Sequence, residues 1–395
     1  MTNSAPFSAT GNQMVADAFR QVDPDVMAAY PITPQTTIVE NYAKFVANGQ
    51  VNTEYVAVES EHSALSACIG ASAAGARVAT ATASQGLALM WEELHVASGM
   101  RCPIVMANAN RALSAPINIH GDHSDIMGAR DAGWIIFFAE TAQEAYDNTI
   151  ISFKVAEDER VQLPVLTTLD GFVTTHALER VQTVDDASVK AYVGDHITKY
   201  PLLDTENPVG KGMFANIGPT YMKSKYVERA ALDASLEVIE EHGRAWAEIC
   251  ERDFNVIDAW GCDDADYIIV VLGSVAGNAR FAARKLREQG KKVGVLRPRV
   301  FRPFPAAQIA EALGNARAVA VLDRSDSFGS PLAPLGLEVS SALYRAGKQI
   351  PVSNYVCGLG GADITIDLIN QVYADLEEVA AGTKQPCLSY LGIEE

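Results

Sequence analysis

Glu59 and Glu61 stand one residue apart, after the short apolar run Tyr55–Val58 and before a stretch built almost wholly of Ala, Ser, Gly and Cys. No Asp, Glu, Lys or Arg occurs between Glu61 and Arg77. A carboxylate so placed can hold a proton or hydrogen-bond the edge of a ligand. Thr33, inside Tyr30-Pro-Ile-Thr-Pro34, offers a hydroxyl on a rigid corner. Arg111 closes the apolar run Pro103–Asn110, and its planar fork suits a carboxylate or phosphate. Ser84-Gln85-Gly86 ends the run Val78–Ala83, and a glycine there admits close approach by a ligand. His120, Asp122, His123 and Asp125 form a fifth group, of metal-ligating types. Nothing sets those four at ligand spacing on one helical face, so no metal site is assigned to this chain. Each candidate also has a plain structural reading. Glu61 could be a first-turn helix residue, Thr33 a turn residue beside a helix cap, and Arg111 half of a salt bridge to Asp122 or Asp125.

The elements that must position these groups follow from periodicity and breakers. Tyr55–Val58 predicts a strand, the small-residue stretch a helix, and Val78–Ala83 a second strand, with the carboxylates at the positive end of the helix. A helix so free of charge is a buried crossover, or one that a flat ligand or second backbone approaches closely. Asn12–Phe19 predicts a helix and Val26–Tyr30 a strand. Pro31 and Pro34 then fix φ and remove two backbone donors. Strands are also predicted at Pro103–Asn110 and Pro164–Leu169, with helices at Leu87–Gly99 and Ala142–Ala156. Residues 112–130 read as a long irregular loop, the kind that tends to carry function. This alternation predicts an α/β, doubly wound, mostly parallel sheet over residues 1–185, with ligands at the carboxyl edge of its strands.

From 186 to 258 the pattern weakens into a surface-draped connecting segment with a long polar helix from Ala230 to Arg252. A second doubly wound α/β unit is expected over 259–380, with strands at Asp266–Leu272, Val293–Leu296, Ala318–Leu322 and Val352–Val356. Its Gly273-Ser-Val-Ala-Gly277 turn is only a faint nucleotide-loop signal, because Gly-x-Gly-x-x-Gly is not matched. Residues 381–395 read as an extended polar arm.

Composition narrows the partners. The chain has 395 residues, 48% hydrophobic and 20% charged, with a net charge of −18. That acidity argues against nucleic acid and anionic membrane surfaces. There is no apolar run of membrane-spanning length and no sign of a signal peptide, so a cytoplasmic location is expected. Six scattered cysteines lack any Cys-x-x-Cys pair, which gives no local iron–sulfur or zinc signature. Redox centres would have to lie on other chains.

Tyr30-Pro-Ile-Thr-Pro34, Glu59-Ser-Glu61, Thr82-Ala-Ser-Gln-Gly86, Asn110-Arg-Ala-Leu113, Gly121-Asp-His-Ser-Asp125, Leu169-Asp-Gly-Phe172 and Val295-Leu-Arg-Pro298 occur in this order. Together they resemble the alpha subunit of the multi-subunit 2-oxoacid:ferredoxin oxidoreductases, the pyruvate:ferredoxin oxidoreductase family. The resemblance covers essentially the whole chain and weakens across 185–258. It implies a thiamine pyrimidine-binding domain followed by a transketolase C-terminal-like domain. It also implies thiamine diphosphate-dependent decarboxylation of a 2-oxoacid, capture by coenzyme A and electron transfer to ferredoxin through iron–sulfur clusters.

Residue by residue, Glu61 matches the family's aminopyrimidine contact, with Ser84, Gln85 and Gly86 beside the cofactor. Thr33 and Arg111 match the contacts to the keto-acid end of the substrate. A carboxylate at the aminopyrimidine nitrogen favours the imino tautomer that deprotonates the thiazolium carbon. Thiamine enzymes also need a divalent cation at the diphosphate, held through Gly-Asp-Gly and a later Asn. Gly121-Asp122 with Asn148 is the nearest approach here and reads as coincidence. The expected partners are therefore a beta subunit carrying the diphosphate and Mg2+ site with a 4Fe–4S cluster, a ferredoxin-like cluster subunit and a gamma subunit. Pyruvate is the favoured substrate, because Thr33 stands in the Pro-Ile-Thr-Pro corner. Phenylglyoxylate or a branched 2-oxoacid is the alternative. A nucleotide-binding dehydrogenase subunit and a non-catalytic assembly subunit remain as readings from other classes.

Overall fold

The structure, a computed structural model, describes residues 3–393. In chain order its strands are β1 (Phe7–Ala9), β2 (Val26–Ala29), β3 (Glu54–Ala57), β4 (Val78–Thr82), β5 (Ile104–Asn110), β6 (Ile135–Phe138), β7 (Val165–Asp170) and β8 (Glu179–Val181). Then follow β9 (Ile257–Trp260), β10 (Tyr267–Val271), β11 (Val293–Pro298), β12 (Val300–Arg302), β13 (Ala318–Asp323), β14 (Val352–Val356) and β15 (Leu388–Tyr390). Seven of them form one sheet in the order β12-β6-β7-β5-β4-β2-β3, parallel except for β12. Six form a second sheet, β15-β14-β13-β10-β11-β9, parallel except for β9. Helices cover both sheets, the doubly wound α/β architecture expected from the alternation.

The order in which strands are added reverses between β2 and β4: β3 lies on one side of that parallel pair, and β5 lies on the other. This is a topological switch point, where open α/β sheets bind ligands. The geometry opens it further. Pairing of β2 with β4 runs only through Val26↔Val78 and Met27↔Ala79, so the strands diverge at their carboxyl ends. Thr80 Oγ1 donates to the Ala28 carbonyl at 2.7 Å, and Gln35 Nε2 donates to the Ala81 carbonyl at 2.8 Å. Side chains thus satisfy the carbonyls that the missing ladder leaves.

Several elements differ from expectation. The predicted helix Leu87–Gly99 is two helices, Ser84–Leu89 and Trp91–Gly99. The 112–130 loop is shorter, because Ser124–Ala129 coils into a helix whose Met127 N–H meets the His123 carbonyl. The polar helix starts earlier and runs Pro219–Cys250, with proline in its first turn, where no intrahelical donor is lost. It is anchored to the first sheet's helix Ala142–Glu157: Trp246 Nε1 donates to Asp147 Oδ1 at 2.9 Å, and Arg252 Nη2 meets the same carboxylate at 2.6 Å. The region read as an arm is structured. A helix continues to Ala381, and β15 then pairs with the open edge of β14 through Asn354↔Leu388. Glu394 and Glu395 of that arm lie outside the described residues.

Each sheet has a core cluster of its own on one face, and on the other the two share one. One apolar cluster unites Leu65, Met106 and Trp134 from the first unit with Ile268, Val321 and Leu335 from the second. β12 comes from the second half of the chain yet completes the first sheet beside β6.

Candidate active site

Glu61 is the first residue of the helix Glu61–Ala74, whose cap is the Ser60 hydroxyl accepting from the Ser63 N–H at 3.2 Å. Its side chain is buried, yet the carboxylate makes no hydrogen bond or ion pair with any described residue. Burying a carboxylate without a partner is costly, and the helix N-terminus offsets only part of that. Against it lies Gly86. A Cβ there would sit 2.8 Å from Glu61 Oε1 and 2.5 Å from Thr82 Oγ1. That Thr82 hydroxyl is itself buried without a partner. Small residues on β4 and its following turn therefore leave two open polar groups facing one place. Glu59 is different: it is exposed, and the Ser63 hydroxyl holds its carboxyl below the usual range. His62 stands at the rim, 2.9 Å from Glu92 and 3.3 Å from Glu93.

Ser84 follows β4 with φ of 49°, a left-handed conformation that an ordinary residue keeps only when its surroundings hold it. Here its N–H donates to Asp125 Oδ2 at 3.0 Å and its hydroxyl to the Ala112 carbonyl at 2.7 Å. Asp125 is the hub. It also accepts from the Arg111 N–H and from the amides of Asn108 and Asn110, each at 3.1 Å. Burial nonetheless pushes its carboxyl upward, opposed by these donors. One buried side chain thus ties the ends of β4 and β5 to the helix Ser124–Ala129. Sequence reasoning named Asp125 only as a possible metal ligand or salt-bridge partner. The signal for its true surroundings is Asn108-x-Asn110, two amides on the same side of an otherwise apolar strand.

The Arg111 guanidinium is not paired with Asp122 or Asp125. Its Nε donates to the Asn118 carbonyl and its Nη1 to the Thr33 carbonyl, both at 3.0 Å. The residue is 8% exposed and has no carboxylate within ion-pair distance among the described residues. Two carbonyl dipoles are poor compensation for a buried cation, and one edge of the fork remains open. The corner carrying Thr33 is held by that contact and by Asn12 Nδ2 donating to the Pro34 carbonyl at 2.7 Å. The Thr33 side chain itself is exposed. Glu61, Gly86, Ser84, Arg111 and Thr33 are therefore linked contact by contact around the switch point.

The other sequence candidates disperse. His123 Nε2 meets Asp170 Oδ1 at 2.7 Å, Asp122 Oδ1 accepts from Ser124, and His120 turns to Asn118. Asn148 accepts from Arg299 Nε at 2.9 Å inside its helix, away from Asp122. The Gly273–Ser274 turn holds a carboxylate of this same chain. Asp170 Oδ2 accepts from the Ser274 N–H at 2.8 Å and meets Arg324 Nη1 at 3.0 Å. Burial opposes ionisation of Asp170, but Arg324 and His123 outweigh it and hold the carboxyl far below its usual range. The glycine turn is thus a latch between the two sheets.

Comparison with known proteins gives this geometry its context. Residues 17–243 match the family model for pyruvate flavodoxin/ferredoxin oxidoreductase, thiamine diphosphate-binding, and residues 265–369 match pyruvate:ferredoxin oxidoreductase core domain II. Pyruvate synthase subunit PorA of Thermotoga maritima is 48% identical, with 93% of each chain covered. The PorA subunit of Methanocaldococcus jannaschii is 46% identical over 93% of this chain and 94% of its own. Ketoisovalerate oxidoreductase subunit VorA of Pyrococcus abyssi is 41% identical over 95% and 94%. A 2-oxoglutarate:ferredoxin oxidoreductase structure from Magnetococcus marinus aligns with a TM-score of 0.72 at 21% identity, covering 93% of this chain and 65% of that one. A split gene transketolase aligns at 0.58 with 12% identity. These two structures speak to fold alone. Full-length relatives at such identity, on a site of this construction, make the chain a member of the pyruvate flavodoxin/ferredoxin oxidoreductase family, carrying that family's thiamine diphosphate-binding domain.

Proposed function

We propose that this chain is the subunit supplying the aminopyrimidine half of a thiamine diphosphate site in a 2-oxoacid oxidoreductase. The overall reaction is decarboxylation of pyruvate with coenzyme A to acyl-CoA and CO2, the electrons passing to ferredoxin or a similar acceptor. The observation that carries this reading is the buried Glu61 side chain against Gly86, with no partner among the described residues, together with a buried Arg111 that meets two carbonyls and no carboxylate. An aminopyrimidine edge suits that place, since the Glu61 carboxylate has no hydrogen-bond partner among the described residues, Thr82 Oγ1 is buried without one, and the two side chains lie together against Gly86.

Bound thiamine diphosphate supplies the nucleophilic carbon and the electron sink for loss of CO2. Glu61 holds a proton toward the ring nitrogen, a role whose loss costs roughly 10²-fold or more in rate. Arg111 takes the substrate carboxylate with the open edge of its fork, and the Thr33 hydroxyl donates to the keto oxygen as it gains charge. Ser84, Gln85 and Gly86 wall the cofactor side.

The Mg2+ and 4Fe–4S centres belong on the beta and ferredoxin-like subunits, with a gamma subunit completing the complex. Burial pushes the Cys68, Cys262 and Cys357 thiols up to about 12, the opposite of what cluster ligation needs. No helix among the described residues is long and apolar enough to cross a membrane, and we place the complex in the cytoplasm.

A branched 2-oxoacid is the second reading, favoured by the VorA relative at 41% identity. The deciding experiment is a panel of pyruvate, 2-ketoisovalerate, 2-oxoglutarate and phenylglyoxylate on the purified complex, with co-purifying subunits identified. Highest kcat/KM on pyruvate is expected. Highest kcat/KM on 2-ketoisovalerate overturns the substrate, and no activity on any of the four overturns the function.

A further inference from the structure

We infer that Asn118 is a positioning residue for Arg111, through which the second sheet's Gly358–Gly361 turn sets specificity at a site it never touches. The inference rests on the reading of Arg111 as the substrate-carboxylate ligand. Residues 114–117 are exposed, and the loop that carries them is tied to the second unit through residues 118–123. One tie is Asn118, whose contacts run in three directions. Its Nδ2 donates to the Gly360 carbonyl at 2.9 Å. Its Oδ1 accepts from the His120 N–H at 2.7 Å. Its own carbonyl accepts from Arg111 Nε at 3.0 Å.

Among the described residues the Arg111 side chain has one other hydrogen bond, Nη1 to the Thr33 carbonyl. A guanidinium plane is fixed by two anchors and free to swing about one. The Asn118 carbonyl is therefore half of what aims the fork, and the Asn118 amide is what holds that carbonyl still. The turn it grips is shaped for the purpose. Gly358, Gly360 and Gly361 have φ of 62°, 58° and 80°, conformations that other residues rarely adopt. A Cβ on Gly360 would collide with Asn118 Nδ2. Other tethers are independent of Asn118: Asp122 Oδ2 accepts from the Gly360 N–H at 3.0 Å, Arg324 Nη2 donates to the Gly121 carbonyl, the His123 N–H donates to the Arg324 carbonyl at 2.7 Å, and within the loop the Ala112 N–H donates to the His120 carbonyl at 3.0 Å. Removing the Asn118 amide therefore loosens the aim of Arg111 without unseating the loop.

The test uses the assembled, cofactor-loaded complex carrying Asn118→Ala, Gly360→Ala, or both. Asn118→Ala is expected to raise KM for the 2-oxoacid about tenfold, with kcat and melting temperature little changed. Deuterium uptake across residues 113–120 should rise in the same variant. Gly360→Ala, placed 242 residues away in sequence, should reproduce the KM defect by displacing the same amide. In the double variant the two effects should not add, because Asn118→Ala removes the atom with which the new Cβ collides. Arg111→Lys separates this inference from its premise. If Arg111→Lys raises KM and Asn118→Ala does not, Asn118 is no positioning residue. If Arg111→Lys leaves KM unchanged, the carboxylate reading falls and takes this inference with it. A melting temperature that drops with KM intact shows a merely structural contact and overturns the proposal. Additive KM effects in the double variant overturn the route through Gly360.

Discussion

Arg111 shows how much a single residue's surroundings decide. An arginine at the end of an apolar strand needs an anion or a salt bridge, and the sequence leaves both open. Its side chain meets two carbonyls and no carboxylate, which removes the salt-bridge account. Replacement by Lys keeps the charge and loses the fork. We therefore expect Arg111→Lys and Arg111→Ala to lower kcat/KM by the equivalent of about 1.5–3 kcal/mol, with the melting temperature nearly unchanged. Steady-state kinetics beside calorimetry checks this; a fall in melting temperature with kcat/KM intact rules out the ligand role. Glu61, Thr33 and Arg111 could be nominated from the sequence because residue type and place after a strand suffice for that. Asp125 was not, because its carboxylate reads backbone N–H groups 41 and 14 residues away in the chain, and no local pattern records those contacts.

At the scale of elements, the alternation of strands and helices was legible, and so was the carboxyl edge that carries the site. What escaped were elements whose existence depends on a distant partner. β12 is three residues long and exists because β6 offers an open edge; β15 exists because β14 does. Helix termini carry their own chemistry. Asp323, at the end of β13, caps the helix Pro334–Arg345 by accepting from the Leu335 and Gly336 N–H groups at 3.0 Å, and from the Asn354 amide. Burial pushes its carboxyl from an ordinary 3.8 up to about 6, opposed by those donors. A raised value means that the folded state binds the proton more tightly, so this group's contribution to stability falls as pH rises from 3.8 to about 6. Asp323→Asn abolishes that titration. The melting temperature of the variant minus that of the parent should therefore become more positive across this interval and level off above it. A difference that stays flat with pH would mean that Asp323 is ionised throughout, held by its donors.

The whole molecule is two doubly wound sheets joined by a shared apolar cluster and by the Asp170 latch, and on the proposed reading it supplies one face of a site. Glu61 and Arg111 converge at the switch point of the first sheet. The Asp122 and Asn148 side chains, the nearest approach to a cation-binding pair, are engaged elsewhere. If the chain supplies half of an active site, as we propose, it should do nothing alone. The isolated chain is expected to show no iron–sulfur absorption and no reduction of ferredoxin or viologen with pyruvate. The most direct test is the rate of proton exchange at the thiazolium carbon of thiamine diphosphate, followed by NMR with Mg2+ present. It is measured for the isolated chain, the assembled complex, and the complex carrying Glu61→Gln. Fast exchange is predicted for the parent complex alone, slowed by roughly 10²-fold or more in Glu61→Gln. Exchange as fast in the Glu61→Gln complex, or in the isolated chain, would contradict the account.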